Sequence, residues 1–343
     1  MRTFIYALPL LFTLGISGCK KDKSNEIVIP ANSVDALAKA IQDAEENGTI
    51  RLASGIHTES GTITIDKKVC IIGDDGAVLI VDTKPTLIPG EPLDPAVHFY
   101  GINGACIENI EIRPVDPIGG TGIILEQSNQ SYIRKCKIYR HQYSIAVEAS
   151  NDVIIENNII EYSDGWQTGV APIGHGILII NGKRVNIIGN SISKAFFGAW
   201  ISDLEGIFNN NMVTDNYIGV VPCAIPDSSA VMPRSNVVYS MIPGSFWTIK
   251  NNTCERNVIG ILLYDGASEC IVENNDCKNN SRIDIELGKA WEIGEGALQL
   301  PFPIDRAKHN KVNAGSYTNI RVRDCGWSNQ IIGVTPISDG DCF

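Results

Sequence analysis

A six-residue motif recurs seven times along the chain, and its spacing constrains the fold more than any other feature. The first and sixth residues are apolar in every copy except for the cysteines that end the last two, and the copies begin 26, 22, 32, 21, 41 and 23 residues apart. A base period of 21–23 residues with two expansions is typical of a solenoid that carries loop insertions. The copies are residues 107–112, 133–138, 155–160, 187–192, 208–213, 249–254 and 272–277.

The fourth position of the motif predicts a buried ladder. Residues at one phase of stacked strands lie about 4.8 Å apart, so asparagine amides there can hydrogen-bond from coil to coil. Asparagine also tolerates the left-handed backbone of a sharp bend. Five successive copies carry asparagine at this position: Asn158, Asn190, Asn211, Asn252 and Asn275.

A second apolar segment follows most copies of the motif, so each coil contains at least two short strands. Stacking is parallel, because each strand meets its counterpart one full coil later. Before the repeats, residues 33–46 are amphipathic, with Ser33 as a candidate N-cap and Asn47-Gly48 as a stop signal. We therefore predict a capping α-helix over residues 33–46 that covers the open end of the stack.

The N-terminus has the features of a targeting segment. Arg2 precedes an apolar run over residues 4–16, which is too short to span a bilayer, and then Ser17-Gly18-Cys19. Small residues before a cysteine resemble a bacterial lipobox, which predicts a signal peptide over residues 1–18, lipidation of Cys19 and a tether over residues 19–31. An ordinary signal peptide with an incidental cysteine is the alternative. No aspartate follows Cys19, which favours the outer membrane or cell surface.

Charge and cysteine count exclude some classes of partner and site. Loss of Arg2 with the signal peptide takes the formal charge from −11 to −12, which argues against nucleic-acid binding. Nine of the ten cysteines remain after Cys19, so at least one is not in an intramolecular disulfide. Cys254 and Cys277 share the sixth motif position on adjacent coils, and we expect stacked free thiols there.

The capping helix, the segment TIRLASGIH…ITIDKKVCIIGDDG and the NNxI…GI repeats resemble right-handed parallel β-helix proteins of the pectin-lyase-like superfamily. The resemblance covers residues 32–335. It implies an all-β fold, a single-stranded right-handed parallel β-helix (solenoid) over residues 32–343. The superfamily includes pectate and alginate lyases, polygalacturonases, epimerases, phage tailspikes and NosD-type periplasmic proteins, so the fold alone does not give the function.

The family motifs for catalysis and metal binding are incomplete. Gly174-His175-Gly176 matches one polygalacturonase motif, but the carboxylate pair for inverting hydrolysis is missing around it, and we expect a structural turn. Arg113-Pro114 lacks the second arginine of pectate lyases. We predict no cofactor and no metal; calcium lacks a tight carboxylate cluster to support it. Five scattered histidines and few methionines disfavour a NosD-like copper role.

The turn after the motif gathers the strongest candidate site residues. The insertion over residues 164–175 lengthens this turn between neighbouring coils, so cations, rings and a histidine should meet there. Lyase or epimerase chemistry needs a cation for the uronate carboxylate and a base for the adjacent proton. A solvated polar turn is the alternative. The predicted substrate-binding residues are Arg140, Asp164, Trp166, Lys194 and Arg256. The predicted catalytic residues are His141, Tyr143 and His175.

The opposite turn carries acidic and amide side chains, which we interpret as an exposed turn; binding of a sugar or a cation is the alternative. The residues of the opposite turn are Glu126, Glu148, Asn181, Asp203 and Asp265.

A long insertion over residues 223–246 is expected to form one wall of a groove.

Two functions remain open. The first is an envelope-anchored β-helix lipoprotein that binds or presents to polysaccharide, touching the membrane through its lipid only. The second is a polysaccharide lyase or epimerase acting on a uronate-containing glycan. The incomplete motifs favour the first and the gathering of His, Tyr, Arg and Lys favours the second, so whether the protein is an enzyme stays open.

Replacing Cys19 by alanine should move the protein from the membrane to the soluble fraction, because the lipid attachment site is lost. Cell fractionation followed by immunoblotting measures the distribution. If the unaltered protein is already soluble, the lipobox interpretation is wrong.

Overall fold

The computed structural model describes residues 25–85, 93–162, 174–223, 244–264, 266–288, 306–317 and 319–337. These residues wind into coils with three flat faces, and the strands of successive coils pair in parallel register. The predicted parallel β-helix is therefore confirmed. Following the chain around one coil, we name the faces A, B and C.

The strands of face A are Glu26–Ile29, Thr49–Leu52, Cys70–Gly73, Cys106–Glu108, Tyr132–Arg134, Ile154–Glu156, Ser245–Lys250, Ile271–Glu273, Lys311–Asn313 and Gln330–Ile332. Those of face B are Gly55–Glu59, Ala77–Val81, Glu111–Pro114, Lys137–Tyr139, Ile159–Glu161, Ser191–Ser193, Met212–Thr214, Thr253–Glu255 and Asp276–Lys278. Those of face C are Ile63–Ile65, Pro95–Tyr100, Gly119–Glu126, His141–Glu148, Ile218–Pro222, Ile259–Leu263, Ile283–Leu287 and Val322–Asp324. Two long strands, His175–Ile188 and Phe197–Asn209, run from face C into face A.

The repeated motif supplies the core because its first residue points inward from face A and its sixth from face B. All fourteen of these side chains are at most 2% exposed. They stack in register, so that Ile107, Ile133 and Ile155 lie on consecutive coils. Burial of an aliphatic side chain contributes about 1.5–3 kcal/mol, and the stack repeats that gain at every coil.

The predicted asparagine ladder is present at the bend between faces A and B. Each amide donates to the side-chain oxygen of the next asparagine, over 2.9, 3.1, 3.1 and 2.8 Å from Asn158 to Asn275. The same oxygen also accepts from the backbone N–H one coil earlier, as from Asn158 to Asn190 over 2.9 Å. The ladder thus saturates polar groups that the bend buries.

A second ladder, which the motif did not predict, lies at the bend between faces B and C. Asn216 donates to Asn257 over 3.1 Å, and Asn257 donates to Asn280 over 3.2 Å. All three side chains are at most 3% exposed. These asparagines fall five residues after the first ladder, so two of the three bends use the same side chain for the same purpose.

The capping helix is shorter than predicted and begins later. It spans Leu37–Asp43, and its N-cap is Ala36 rather than Ser33. Glu59 accepts a hydrogen bond from the Leu37 N–H over 2.7 Å, so a carboxylate from the next coil satisfies the helix start. Ser33 instead bonds to the ring of His57 over 2.8 Å.

The predicted tether over residues 19–31 also ends earlier than expected. Its last part forms the strand Glu26–Ile29, which pairs with Thr49–Leu52 and so belongs to the first coil. Residues 1–24, including the predicted signal peptide and Cys19, lie outside the described residues.

The cysteines divide into bonded pairs and buried thiols. Cys70 and Cys106 form a disulfide between adjacent strands of face A, and Cys325 is also disulfide-bonded. Cys254 and Cys277 are free thiols in register on face B, as predicted. Burial raises the pKa of the Cys136 and Cys270 thiols to about 12.

Replacing Asn211 or Asn252 by leucine should lower the free energy of unfolding by about 1–3 kcal/mol, because neighbouring buried amides and N–H groups lose their partners. Chemical denaturation measures the change. Asn186→Leu is the matched control, since Asn186 lies half-buried on the outside of face A. Equal effects at the ladder and control positions would contradict a role for the ladder.

Candidate functional site

The turn between faces B and C carries the column of charged residues that the sequence singled out. Arg140, Lys194, Asp215 and Arg256 have φ angles of 59°, 61°, 61° and 57°, so each sits in the left-handed region at which the chain turns. This shared backbone places their side chains on the outside of the turn. Lys194, Asp215 and Arg256 lie on consecutive coils, whereas one further coil, at Tyr162, separates Arg140 from Lys194.

Two of the three predicted cations on this turn are paired with acids. Lys194 lies 3.0 Å from Glu161. Arg256 donates to both carboxylate oxygens of Asp215 at 2.9 Å, which lowers the pKa of Asp215. Arg140 is exposed. The turn therefore has less net positive charge than its lysine and arginines suggest.

The three predicted catalytic residues are enclosed. His141 and His175 are 0% exposed and Tyr143 is 1% exposed. The Tyr143 and His175 rings stack at 5.1 Å, and the His175 ring lies 5.0 Å from that of Phe197. Their catalytic roles stay predictions, whereas the structure shows His141 fully buried and Tyr143 and His175 packing against neighbouring rings.

The Gly-His-Gly element has a steric explanation. A Cβ on Gly174 would lie 2.5 Å from the Tyr162 ring, and one on Gly176 would lie 2.5 Å from the Gly198 carbonyl oxygen. Both glycines are needed for close packing between coils, but His175 and Gly176 begin the strand His175–Ile188 and do not form the structural turn that we expected. The predicted residues Asp164 and Trp166 lie outside the described residues.

A cavity of about 310 Å³ lies on the outer side of face C and begins one coil beyond His175. Aromatic and aliphatic side chains dominate its walls, with a single cation among its described lining. These residues are Phe197, Trp200, Tyr217, Ile218, Val221, Ile259, Leu262, Tyr264 and Arg282.

Strand register builds this cavity. Phe197, Ile218 and Ile259 occupy one position on consecutive coils, and Trp200 and Val221 occupy a second position beside it. The buried His175 ring supports it from the preceding coil, 6.2 Å from the Trp200 ring. The cavity thus continues the column that begins with Tyr143 and His175.

A signal for this cavity was present in the sequence. Strands that expose one face should alternate apolar and polar residues. The runs Ile177-Leu178-Ile179-Ile180, Ala199-Trp200-Ile201 and Ile261-Leu262-Leu263 are apolar throughout. An apolar residue that points outward from such a strand is either covered by other side chains or lines a cavity. Leu178 is an example of the first case, with 0% exposure. Trp200 and Leu262 are examples of the second, since both line the cavity.

The opposite turn, between faces C and A, is not the exposed turn that we expected. Glu126, Glu148 and Asp203 are at most 5% exposed, because residues from neighbouring coils enclose them. Burial raises the pKa of Asp203 to about 8. Glu126 lies 3.0 Å from His98, whose ring is 5.4 Å from that of the exposed Tyr100. Asn181 is half-buried, and Asp265 lies outside the described residues.

The described residues do not fit a metal centre. Across these ranges no group of three His, Cys, Asp or Glu side chains could hold a metal ion. His141 and His175 are packed against other side chains, and Met212 stands on the outside of face B. Separately, within the same ranges the chain has no helix long and apolar enough to cross a bilayer.

Burial holds the pKa of His141 at about 3, far below its ordinary 6.5. The unfolded chain takes up this proton below pH 6.5 and the folded protein does not until about pH 3. Stability should therefore be complete above pH 6.5 and fall by about 1.4 kcal/mol per pH unit between these values. Denaturation of His141→Asn across pH 7 to 4 should show a shallower loss. His309→Asn, at an exposed histidine, is the control, and an equally shallow loss there would contradict the assignment.

Comparison with known proteins bears on the fold. The family model described as periplasmic copper-binding protein (NosD) matches residues 96–233. The copper that this description implies has no matching ligand set among the described residues. No curated protein sequence matches the chain significantly.

Solved structures resemble the chain over most of its length. A mutant of the periplasmic alginate epimerase AlgG has a TM-score of 0.50 and 11% identity, over 84% of this chain and 77% of that one. The Dettilon tailspike protein has a TM-score of 0.50 and 12% identity, over 86% of this chain and 64% of that one. At such identities the likeness shows the fold alone. The chain therefore has a right-handed parallel β-helix fold, similar to that of these structures.

Proposed function

We propose that the protein is an extracytoplasmic β-helix that binds polysaccharide through the aromatic cavity on face C. The observation that carries the proposal is the meeting of Phe197, Trp200, Tyr217 and Tyr264 around one open space of about 310 Å³. Sugar rings present flat C–H surfaces, and rigid aromatic walls with few polar groups suit such a ligand.

Arg282 gives the cavity its polarity. It is the one charged side chain among the described residues that line the space. A guanidinium can bind a carboxylate through two parallel hydrogen bonds. A glycan with acidic residues would therefore place an apolar ring face on the aromatic wall and a carboxylate at Arg282.

The location outside the cytoplasm rests on several observations. The N-terminal segment resembles a lipoprotein signal, and the Cys70–Cys106 disulfide suits an oxidising compartment. The matching family model and the AlgG epimerase are both described as periplasmic. Attachment to the outer membrane through Cys19 remains part of the proposal.

A lyase or epimerase is the second candidate, and the pair of His98 and Glu126 favours it. A histidine held by a carboxylate, beside the exposed hydroxyl of Tyr100, can move protons at a bound sugar. Four coil steps of about 4.8 Å separate His98 from Trp200 on the same outer column of face C. Formation of an unsaturated product, followed by its ultraviolet absorbance, would separate a lyase from a binding protein.

Replacing Trp200 by alanine should weaken polysaccharide binding about tenfold, because the stacking surface is lost. Affinity electrophoresis against a panel of acidic and neutral polysaccharides measures the change. Arg282→Gln should weaken binding of the acidic polysaccharides only. This second variant tests the cavity independently if the Trp200 variant fails to fold.

Arg140→Ala combined with Lys194→Ala is the matched control on the neighbouring turn. This variant should bind normally, since neither residue lines the cavity. Loss of binding in the control, with binding retained in the Trp200 and Arg282 variants, would place the site on the turn instead.

A further inference from the structure

The outer side of face A is a flat strip with two outward residues on each coil. One column of the strip holds mostly apolar side chains, and Ile207 and Ile271 in it are 37% and 39% exposed. The other column holds the charges. Both columns are in strict register from coil to coil. The apolar column is Cys106, Tyr132, Ile154, Asn186, Ile207, Thr248, Ile271 and, at its far end, the charged Lys311. The charged column is Glu108, Arg134, Glu156, Ile188, Asn209, Lys250, Glu273 and Asn313.

The charges of this column are arranged so that the column is complementary in charge to a second copy of itself running in the opposite direction. Its midpoint lies between Ile188 and Asn209, which are neighbours in register. One step further out on either side are Glu156 and Lys250, and one step beyond these are Arg134 and Glu273. Two of the four pairs of positions equally far from the midpoint thus carry opposite charges, and no pair carries like charges.

We propose that this strip of face A is the interface of a homodimer in which two copies lie face to face with their coil axes antiparallel. A two-fold axis along the strand direction at the midpoint reverses the order of coils and keeps each column opposite itself. Glu156 then faces the partner's Lys250, and Arg134 faces the partner's Glu273. Because the contact is isologous, each pair occurs twice.

The apolar column is compatible with the same operation. Tyr132 comes opposite the partner's Ile271, and Ile154 comes opposite the partner's Thr248. Burial of the exposed Ile207 and Ile271 removes apolar surface from water on both copies. Outside the strip, Arg184 and Glu205 flank the midpoint on adjacent coils, so they too face opposite charges across the axis.

Within one chain, opposite charges also lie one coil step apart, since Arg134 stands between Glu108 and Glu156 and Lys250 stands beside Glu273. That pairing does not fix which charges lie at equal distances on either side of the midpoint. Glu156 and Lys250 lie three coil steps apart, about 14 Å, so they cannot form an ion pair with each other in one copy. Arg134 already binds its own Glu108 at 2.7 Å and would share its charge with the partner's Glu273. The strip is only three residues wide, which indicates a small interface and a weak, reversible dimer.

Sedimentation equilibrium of the purified full chain tests the proposal. The unaltered protein should form a dimer at micromolar to near-millimolar concentrations, and high salt should weaken it. K250E and E156K should each raise the dissociation constant at least about tenfold, because each places like charges opposite one another twice. K137E, on the outside of face B, is the matched control and should dimerise normally.

An equimolar mixture of K250E and E156K decides the register. In the mixed dimer, both contacts between positions 156 and 250 again join opposite charges, one in the original sense and one reversed, so the mixture should recover the affinity of the unaltered protein. A monomer at every concentration, or variants that dimerise as well as the control, would overturn the proposal. So would a mixture that associates no better than either variant alone. None of these outcomes depends on whether the cavity binds polysaccharide.

Discussion

The in-register stacking of one coil on the next is the constraint on which the rest of the structure depends. Each inward position must suit its copies one coil step away on either side, so residues of like shape and hydrogen-bonding capacity recur in columns. Isoleucine satisfies this condition by packing on itself. Asparagine satisfies it by donating and accepting along the same direction, which allows polar groups at two bends to be buried without water.

This column rule explains why so much of the fold could be predicted. Asn211 occupies the same motif position as Asn190 and Asn252, so each copy of the motif supports the structural position assigned to the others. The ends of the solenoid lack that support. The helix start was placed at Ser33 because local capping preference was the only guide, whereas the actual partner of the first helical N–H, Glu59, comes from the following coil.

The candidate site was harder to predict for the same reason. Repetition fixes which residues point inward, but it leaves the outward residues free to vary, and their surroundings depend on other coils. His141 and His175 are polar residues next to a turn, and a single sequence does not show that side chains from neighbouring coils bury them. The most informative sequence feature was the absence of polar residues at outward positions of some face C strands. Trp200 and Leu262 stand where an exposed strand would carry polar residues, so this exception to alternation points to the cavity although the sequence analysis did not use it.

The buried thiols bear on how such a chain matures. Thiolates, rather than thiols, attack disulfides, and the pKa of about 12 for Cys136 and Cys270 leaves roughly one thiolate in 10⁵ near neutral pH. Once the coils have closed, these cysteines behave as small apolar side chains. Mispairing of Cys136 and Cys270 is therefore favoured only before the coils close around them. In an oxidising compartment, the rate at which coils wind onto one another would compete directly with the rate of disulfide exchange.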